Sequence, residues 1–481
     1  MAHSEIPPEN NENPNDSNNE KALAPNSQPQ QELKEGGYGW VVIFGVFILN
    51  AHTWGLNSSF AVFLAYYLRS GTFGASQLGY AFVGGLSISI ALLVSPLATT
   101  LIGWKRCGTR PTIFLGSIFI AIGFVGSSFA YELWHLLLSQ GVSFGLGMGF
   151  CFVSSASVPP QWFVKRRSFA NAIAASGSGF GGLCYSLATN AMITNIGLPW
   201  AFRILAIISF VINSIASYLI RDRNKAIGSV HVALNWKLFK RLPFLLFQAW
   251  MLLSLLGYII LIFSIVDYCQ SVGLTASQAS LVGALFNLAQ GLGRPAIGLS
   301  SDSIGRLNIA NLCTLFCGLL CLFFWIFGAK SLASCIVFAI LSGSVAGVIW
   351  ATVAPICAEV VGLALIPSAL SMTWLLLVIP ATVAEAIGVS LRHPGPGGYL
   401  RVQLFTGFMY IAAFIFGWGL RAWKVWELEK VRLDKEQREL AIQDEGVLSA
   451  AIERESSRTP GGLPPQPKAS IFRGLWAIER V

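Results

Sequence analysis

Within long apolar stretches of this sequence stand four ionisable side chains that could do chemistry: Arg294, followed directly by Pro295, together with Glu385, Asp267 and His52. A charge carried into hydrocarbon is costly, so each should face a helix-bundle interior or a water-filled cavity, and each is a functional candidate. A guanidinium stays charged at any physiological pH and grips a planar carboxylate by two parallel hydrogen bonds, which makes Arg294 the leading candidate for holding an anion. Its alternative is a structural charge paired with a carboxylate elsewhere. Glu385 and Asp267 are candidates for taking up and releasing a proton, and Glu385 ranks first because it sits deeper in its stretch. Asp267 reads equally well as a solvated helix end. His52, close to Asn50, suits proton exchange by its ordinary titration range and also reads as a hydrogen-bonded packing residue.

The elements that must position these groups are read from composition. The 481 residues are 54% hydrophobic and 11% charged, against roughly 25% charged in an ordinary globular domain. About 20 apolar residues cross a bilayer as a helix. Such runs fall near 41–68, 78–102, 112–131, 134–157, 169–192 and 201–220, and again near 244–268, 279–301, 308–328, 331–356, 366–391 and 399–421. The expected fold is all-α: a polytopic membrane protein of twelve transmembrane helices in two six-helix halves, 38–220 and 244–421, joined by a polar loop, 221–243.

The net charge of +9 sits mainly in short loops after even-numbered runs: Lys105, Arg106 and Arg110, then Lys165, Arg166 and Arg167, then six basic residues between Arg221 and Arg241. The opposite side carries fewer, chiefly Arg69, Arg203, Lys330, Arg392 and Arg401. Such an asymmetry orients a membrane protein and places both termini in the cytosol; it does not point to nucleic acid. Residues 1–37 are rich in Asn, Pro, Gln and Glu, and are expected to form a disordered cytosolic tail with no cleavable signal. Residues 422–481 should form a second cytosolic tail. Within it, Trp423 to Asp444 reads as a charged helix with spaced pairs Lys430 with Asp434, Arg432 with Glu436 and Lys435 with Glu439. A Ser/Pro/Gly-rich linker, Ser456 to Pro467, follows.

Other patterns exclude functions. Cys313, Cys317 and Cys321 form a stripe at helical spacing without His or carboxylate neighbours, which suits packing and not a metal site. The glycines of Gly177-Ser178-Gly179-Phe180-Gly181-Gly182 lie inside an apolar run and follow no strand, so they suit close helix packing and not a nucleotide. Gly141, Gly145 and Gly149 have the same packing spacing. The five histidines are scattered, so no catalytic set is expected, and no cofactor.

Two motifs carry a family resemblance. Glu35-Gly36-Gly37-Tyr38-Gly39-Trp40 opens the first run, and Trp162-Phe163-Val164-Lys165-Arg166-Arg167 opens the fifth, followed by Ala170, Ala172, Ala174 and Gly177. Both resemble signatures of the monocarboxylate-transporter family within the major facilitator superfamily, and the surrounding style resembles its fungal branch. Gly298, Asp302, Gly305 and Arg306 resemble the facilitator gating motif; its first-half counterpart keeps Gly108 and Arg110, with Lys105 where an acid would stand.

The resemblance implies a secondary carrier in which the halves rock around a central substrate site. It implies that Arg294 binds a substrate carboxylate. The family's paired acid four residues earlier corresponds to Gln290, and its first-run lysine to Ser58, beside Asn57. These departures turn the expectation from lactate-like symport toward a larger or less acidic solute. The expected partners are a small-molecule solute, with or without protons, and the lipid bilayer, with the plasma membrane as the default. Export of a fungal secondary metabolite, import of a vitamin or nutrient, and nutrient sensing on the same fold stay open.

Overall fold

The computed structural model describes residues 36–71, 77–393 and 397–452, and all regular structure among them is helical. Expectations for residues 1–35 and 453–481, including Glu35 and the Ser456–Pro467 linker, lie outside the described residues.

Twelve long helices follow one another among the described residues. They are α1 (38–70), α2 (77–103), α3 (Thr109–Ser127), α4 (133–156), α5 (Arg167–Ile196) and α6 (Leu198–Leu219). After the connecting loop come α7 (Leu242–Ser271), α8 (Ala276–Ile304), α9 (Arg306–Gly328), α10 (Leu332–Val361), α11 (Ile366–Leu391) and α12 (Leu400–Ile452). Apolar runs of bilayer length become helices because hydrocarbon offers no partner to a free backbone N–H or C=O, and a helix satisfies both within one segment. Each run found in the sequence falls on one helix. The clear departure is α12, an unbroken helix of 53 residues that carries the charged stretch on without a joint. No Pro or Gly stands between Arg421 and Asp444 to end it. Of the three expected pairs on it, Arg432 and Glu436 close at 3.1 Å, whereas Lys430 lies over the Trp426 ring.

Ten of these helices are apolar enough to cross a membrane by length and composition. The exceptions, α5 and α8, carry much Gly, Ser and Asn, and α8 also carries Gln290 and Arg294. They pack on each other between the halves, so protein and not lipid surrounds their polar faces. A Cβ added to Gly179 would lie 2.8 Å from the Gly291 backbone, and one on Gly298 2.8 Å from the Ser168 carbonyl. Only a residue without a side chain lets the two helices approach so closely.

Each half has its own apolar core, one within residues 42–220 and one centred on residues 238–425. In the first half α1 packs on α5, α2 on α4, and α3 on α4 and α6; in the second, α7 packs on α11 and α12, α8 on α10, and α9 on α12. Across the halves α5 meets α8 and α10, and α2 meets α11. The connecting loop lies at the basic end of the bundle, where α2 ends and α3 begins, and is tied to both halves. Trp162 Nε1 donates to Arg221 O and Gln161 Nε2 to Asn224 Oδ1, while Val230 N donates to Ala364 O and Val232 N to Ser368 Oγ.

Candidate functional site

A cavity of about 1030 Å³ lies between the halves, lined from both. Ser58, Gln270 and Ala276, at its end away from the basic loops, are exposed, whereas Ser155 and Pro159 at the other end are buried. The cavity is therefore open away from the basic end and closed toward it.

Arg294 reaches the cavity from the middle of α8 with 4% of its surface exposed. Its Nη1 donates to Ala175 O at 2.7 Å and to Ser178 Oγ, both on α5, and its Nη2 donates to Gln290 Oε1 at 3.0 Å. Gln290 Oε1 also accepts from Tyr258 of α7 at 2.7 Å. Among the described residues no carboxylate comes within ion-pair distance of Arg294, so the structural-charge alternative has no partner there, and Nε is buried without an acceptor. The head group fits because α10 breaks at Gly347, where an added Cβ would meet Gln290 Oε1 at 3.0 Å and Arg294 Nη2 at 3.2 Å. A buried, uncompensated cation with a spare donor is an anion-binding arrangement.

Of the other intramembrane candidates, Glu385 lines the same cavity, half-buried. Asn57 and Ser58 line it from α1, with Asn57 accepting from Ser87 at 2.8 Å and Ser58 donating to Trp54 O at 3.0 Å. His52 sits where α1 widens to π geometry at Ala51–Gly55; its Nδ1 is 2.8 Å from Ile48 O and its ring meets Tyr185 edge-on at 5.4 Å. That is the packing arrangement. Asp267 pairs with Arg392 at 2.5 Å, with both side chains over 40% exposed, as a solvated helix end does.

At the basic end, Asp302 accepts Ser168 N and Phe169 N at 3.0 and 2.8 Å, capping the start of α5 across the halves with a charge suited to a helix N-terminus. Gly305 (φ 122°) turns the chain from α8 into α9, and Arg306 joins Asp302 at 3.6 Å, Glu359 at 2.7 Å and Val164 O at 3.0 Å. The first-half counterpart behaves differently: after Gly108, Arg110 donates to Ile220 O and Tyr218 O within its own half. Of the two motif copies, the second thus reaches across the halves, whereas Arg110 does not. The two signature motifs interlock at this end. Gly36 and Gly37 start α1; Tyr38 donates to Leu219 O, Gly39 abuts Phe163, and the Trp40 and Phe163 rings lie 4.8 Å apart. Lys165 and Arg166 occupy the turn before α5, and Arg167 Nε donates to Phe163 O.

The sequence alone singles out none of Trp54, Trp350, Trp374, Phe152, Tyr258 and Asn171. In the structure the rings of Trp54 and Trp350 lie 5.5 Å apart, those of Trp350 and Trp374 6.0 Å, and Phe152 stands 4.9 Å from Trp374 and 5.2 Å from Trp54. Together they line the cavity as one aromatic floor. Asn171 Nδ2 donates to Ala351 O at 2.7 Å beside it, tying α5 to α10. The available signal was one ring in each of four runs that the duplicated organisation brings to the bundle centre.

A duplicated twelve-helix bundle around a central cavity closed at one end is the architecture of an alternating-access carrier. Residues 42–385 match the Major Facilitator Superfamily, and the chain belongs to that family of multi-pass membrane transporters, which are not enzymes. It is 34% identical over 398 residues to the probable transporter MCH2 of Saccharomyces cerevisiae, covering 81% of this chain and 84% of that one. It is 27% identical over 422 residues to the fujikurins efflux protein of Gibberella fujikuroi, covering 84% and 89%. Among solved structures it resembles the transporter FucP in the outward conformation, with a TM-score of 0.59 at 13% identity, over 79% of this chain and 98% of that one.

Proposed function

We propose that this transporter carries a small organic anion or weak acid by alternating access, with proton coupling, as a member of the monocarboxylate-porter branch. The observation that carries the reading is Arg294, buried in the cavity between the halves with no carboxylate partner among the described residues. Gln290 stands where a paired acid would neutralise it, so the hydrogen-bonded guanidinium keeps its net charge for a solute anion. Glu385, on the wall of the same cavity, is the proposed proton carrier. The basic-loop asymmetry supports termini in the cytosol and a cavity that faces away from it, with the plasma membrane as the default location.

The test is uptake of labelled organic acids by proteoliposomes across an imposed pH gradient, with protein-free vesicles subtracted. Gradient-driven accumulation that Glu385→Gln makes pH-independent is expected; no protein-dependent flux of any acid, or unchanged coupling in the variant, counts against the reading. Export of a larger metabolite is the second reading. It is favoured by the cavity's size, at the top of the roughly 300–1,000 Å³ range for drug-sized ligands, and by similarity to the fujikurins efflux protein.

A further inference from the structure

We propose that the aromatic floor is a substrate subsite, and that the ligand is an amphipathic organic anion with a flat conjugated body, its charge on Arg294 and its face on Trp54 and Trp350. The inference rests on the anion-carrier reading and names the substrate class for it.

Three observations carry it. First, the cation and the floor are neighbours built on shared elements. Arg294 packs at Gly347, and three residues on in α10 stands Trp350, whose N–H closes the turn on Gly347 O at 3.1 Å. Tyr258 links them again: its hydroxyl bonds the Gln290 oxygen that holds Arg294, and its ring lies 6.3 Å from the Trp350 ring. A molecule on Arg294 cannot extend far toward the floor without meeting these rings.

Second, Trp54, Trp350 and Trp374 all line the cavity, and the first two are only part-buried while Trp374, stacked on Trp350, is fully buried. Third, a two- or three-carbon acid would leave most of about 1030 Å³ unfilled, while flat rings stack on indole with useful energy. The floor also joins the halves, since Trp54 belongs to α1 and Trp350 to α10, and opening toward the basic end must part them. A ligand face that replaces the Trp54–Trp350 contact is therefore recognised where the carrier has to move.

Binding of 2-naphthoate, 2-naphthamide and propionate to the purified full chain by calorimetry tests this. Arg294→Gln, Trp350→Leu and Trp350→Phe are compared with the unaltered protein, each first checked for a monodisperse folded state. Naphthoate should bind at least about tenfold tighter than propionate. Trp350→Leu should weaken naphthoate about fivefold or more and propionate less than about twofold, with Trp350→Phe restoring most of the loss. Equal affinities for the two acids, both lost in Arg294→Gln, would overturn the aromatic subsite and leave the anion carrier standing. Equal binding of naphthoate and naphthamide, untouched by Arg294→Gln, would overturn both.

Discussion

Replacing Gln290 by Glu tests the electrostatic logic of the site with almost no change of shape. Gln290 Oε1 accepts from Arg294 at 3.0 Å and from Tyr258 at 2.7 Å, and a carboxylate oxygen at that position keeps both bonds while adding a negative charge. At this separation and an effective dielectric near 20, the pair attracts by about 5 kcal/mol, much of which is offset by desolvating the new carboxylate. The bond to a charged acceptor retains about 1.5–3 kcal/mol, which a solute anion must displace. Anion affinity should therefore fall by about 10- to 150-fold near pH 8. The loss should persist down to about pH 5.5, because a carboxylate beside a guanidinium stays charged throughout that range. The assay is calorimetric titration with 2-naphthoate from about pH 8 to pH 5.5, beside the unaltered chain. Undiminished affinity at the upper pH in a folded variant would refute the placement of the anion on Arg294.

Three further outcomes are expected. Asp302→Asn removes the charge that caps α5 across the halves; it should weaken that latch by about 1–2 kcal/mol and speed amide exchange at residues 167–175 by roughly 5- to 30-fold, and unchanged exchange would show that the contact latches nothing. Gly179→Val drives a side chain into the Gly291 backbone and should destabilise the protein by about 1–3 kcal/mol; an unaltered melting midpoint in detergent would contradict the close α5–α8 approach. In the connecting loop, burial pushes the His231 imidazole below its ordinary range. Its neutral form is the one that fits, so its share of stability is present above about pH 6.5 and is lost as pH falls through the lower folded value. The melting midpoint between about pH 7.5 and pH 5 should thus fall less in His231→Asn than in the unaltered chain, and equal slopes would remove His231 from the pH response.

The helices were legible because each apolar run must hide its backbone from lipid, a constraint that acts on one segment at a time. Even α5 and α8, poorer in apolar residues, could be read from runs flanked by basic residues or turns. The placement of Arg294 was legible for the same local reason, since a charge inside an apolar run needs somewhere to go. The floor was not, because Trp54, Phe152, Trp350 and Trp374 are ordinary packing residues within their own helices, and only the tertiary arrangement stacks them. The same holds for Asn171 and Tyr258, whose partners lie 180 and 32 residues away. Asp267 and His52 stand outside the cavity lining, one paired with Arg392 at a helix end and the other packed on Tyr185. The continuity of α12 depended on the absence of a breaker, a weaker signal than the change from apolar to charged residues at Arg421.

Flux across a membrane measures most directly whether Arg294 holds the transported anion. Solute-induced acidification inside proteoliposomes should be recorded for the unaltered protein and for Arg294→Gln across short monocarboxylates, larger aromatic acids and neutral heterocycles, with protein-free vesicles subtracted. A protein-dependent signal is expected for organic acids, strongest for the aromatic ones, and should disappear in Arg294→Gln while the variant folds and inserts normally. Acid transport by Arg294→Gln at the rate of the unaltered protein would contradict it.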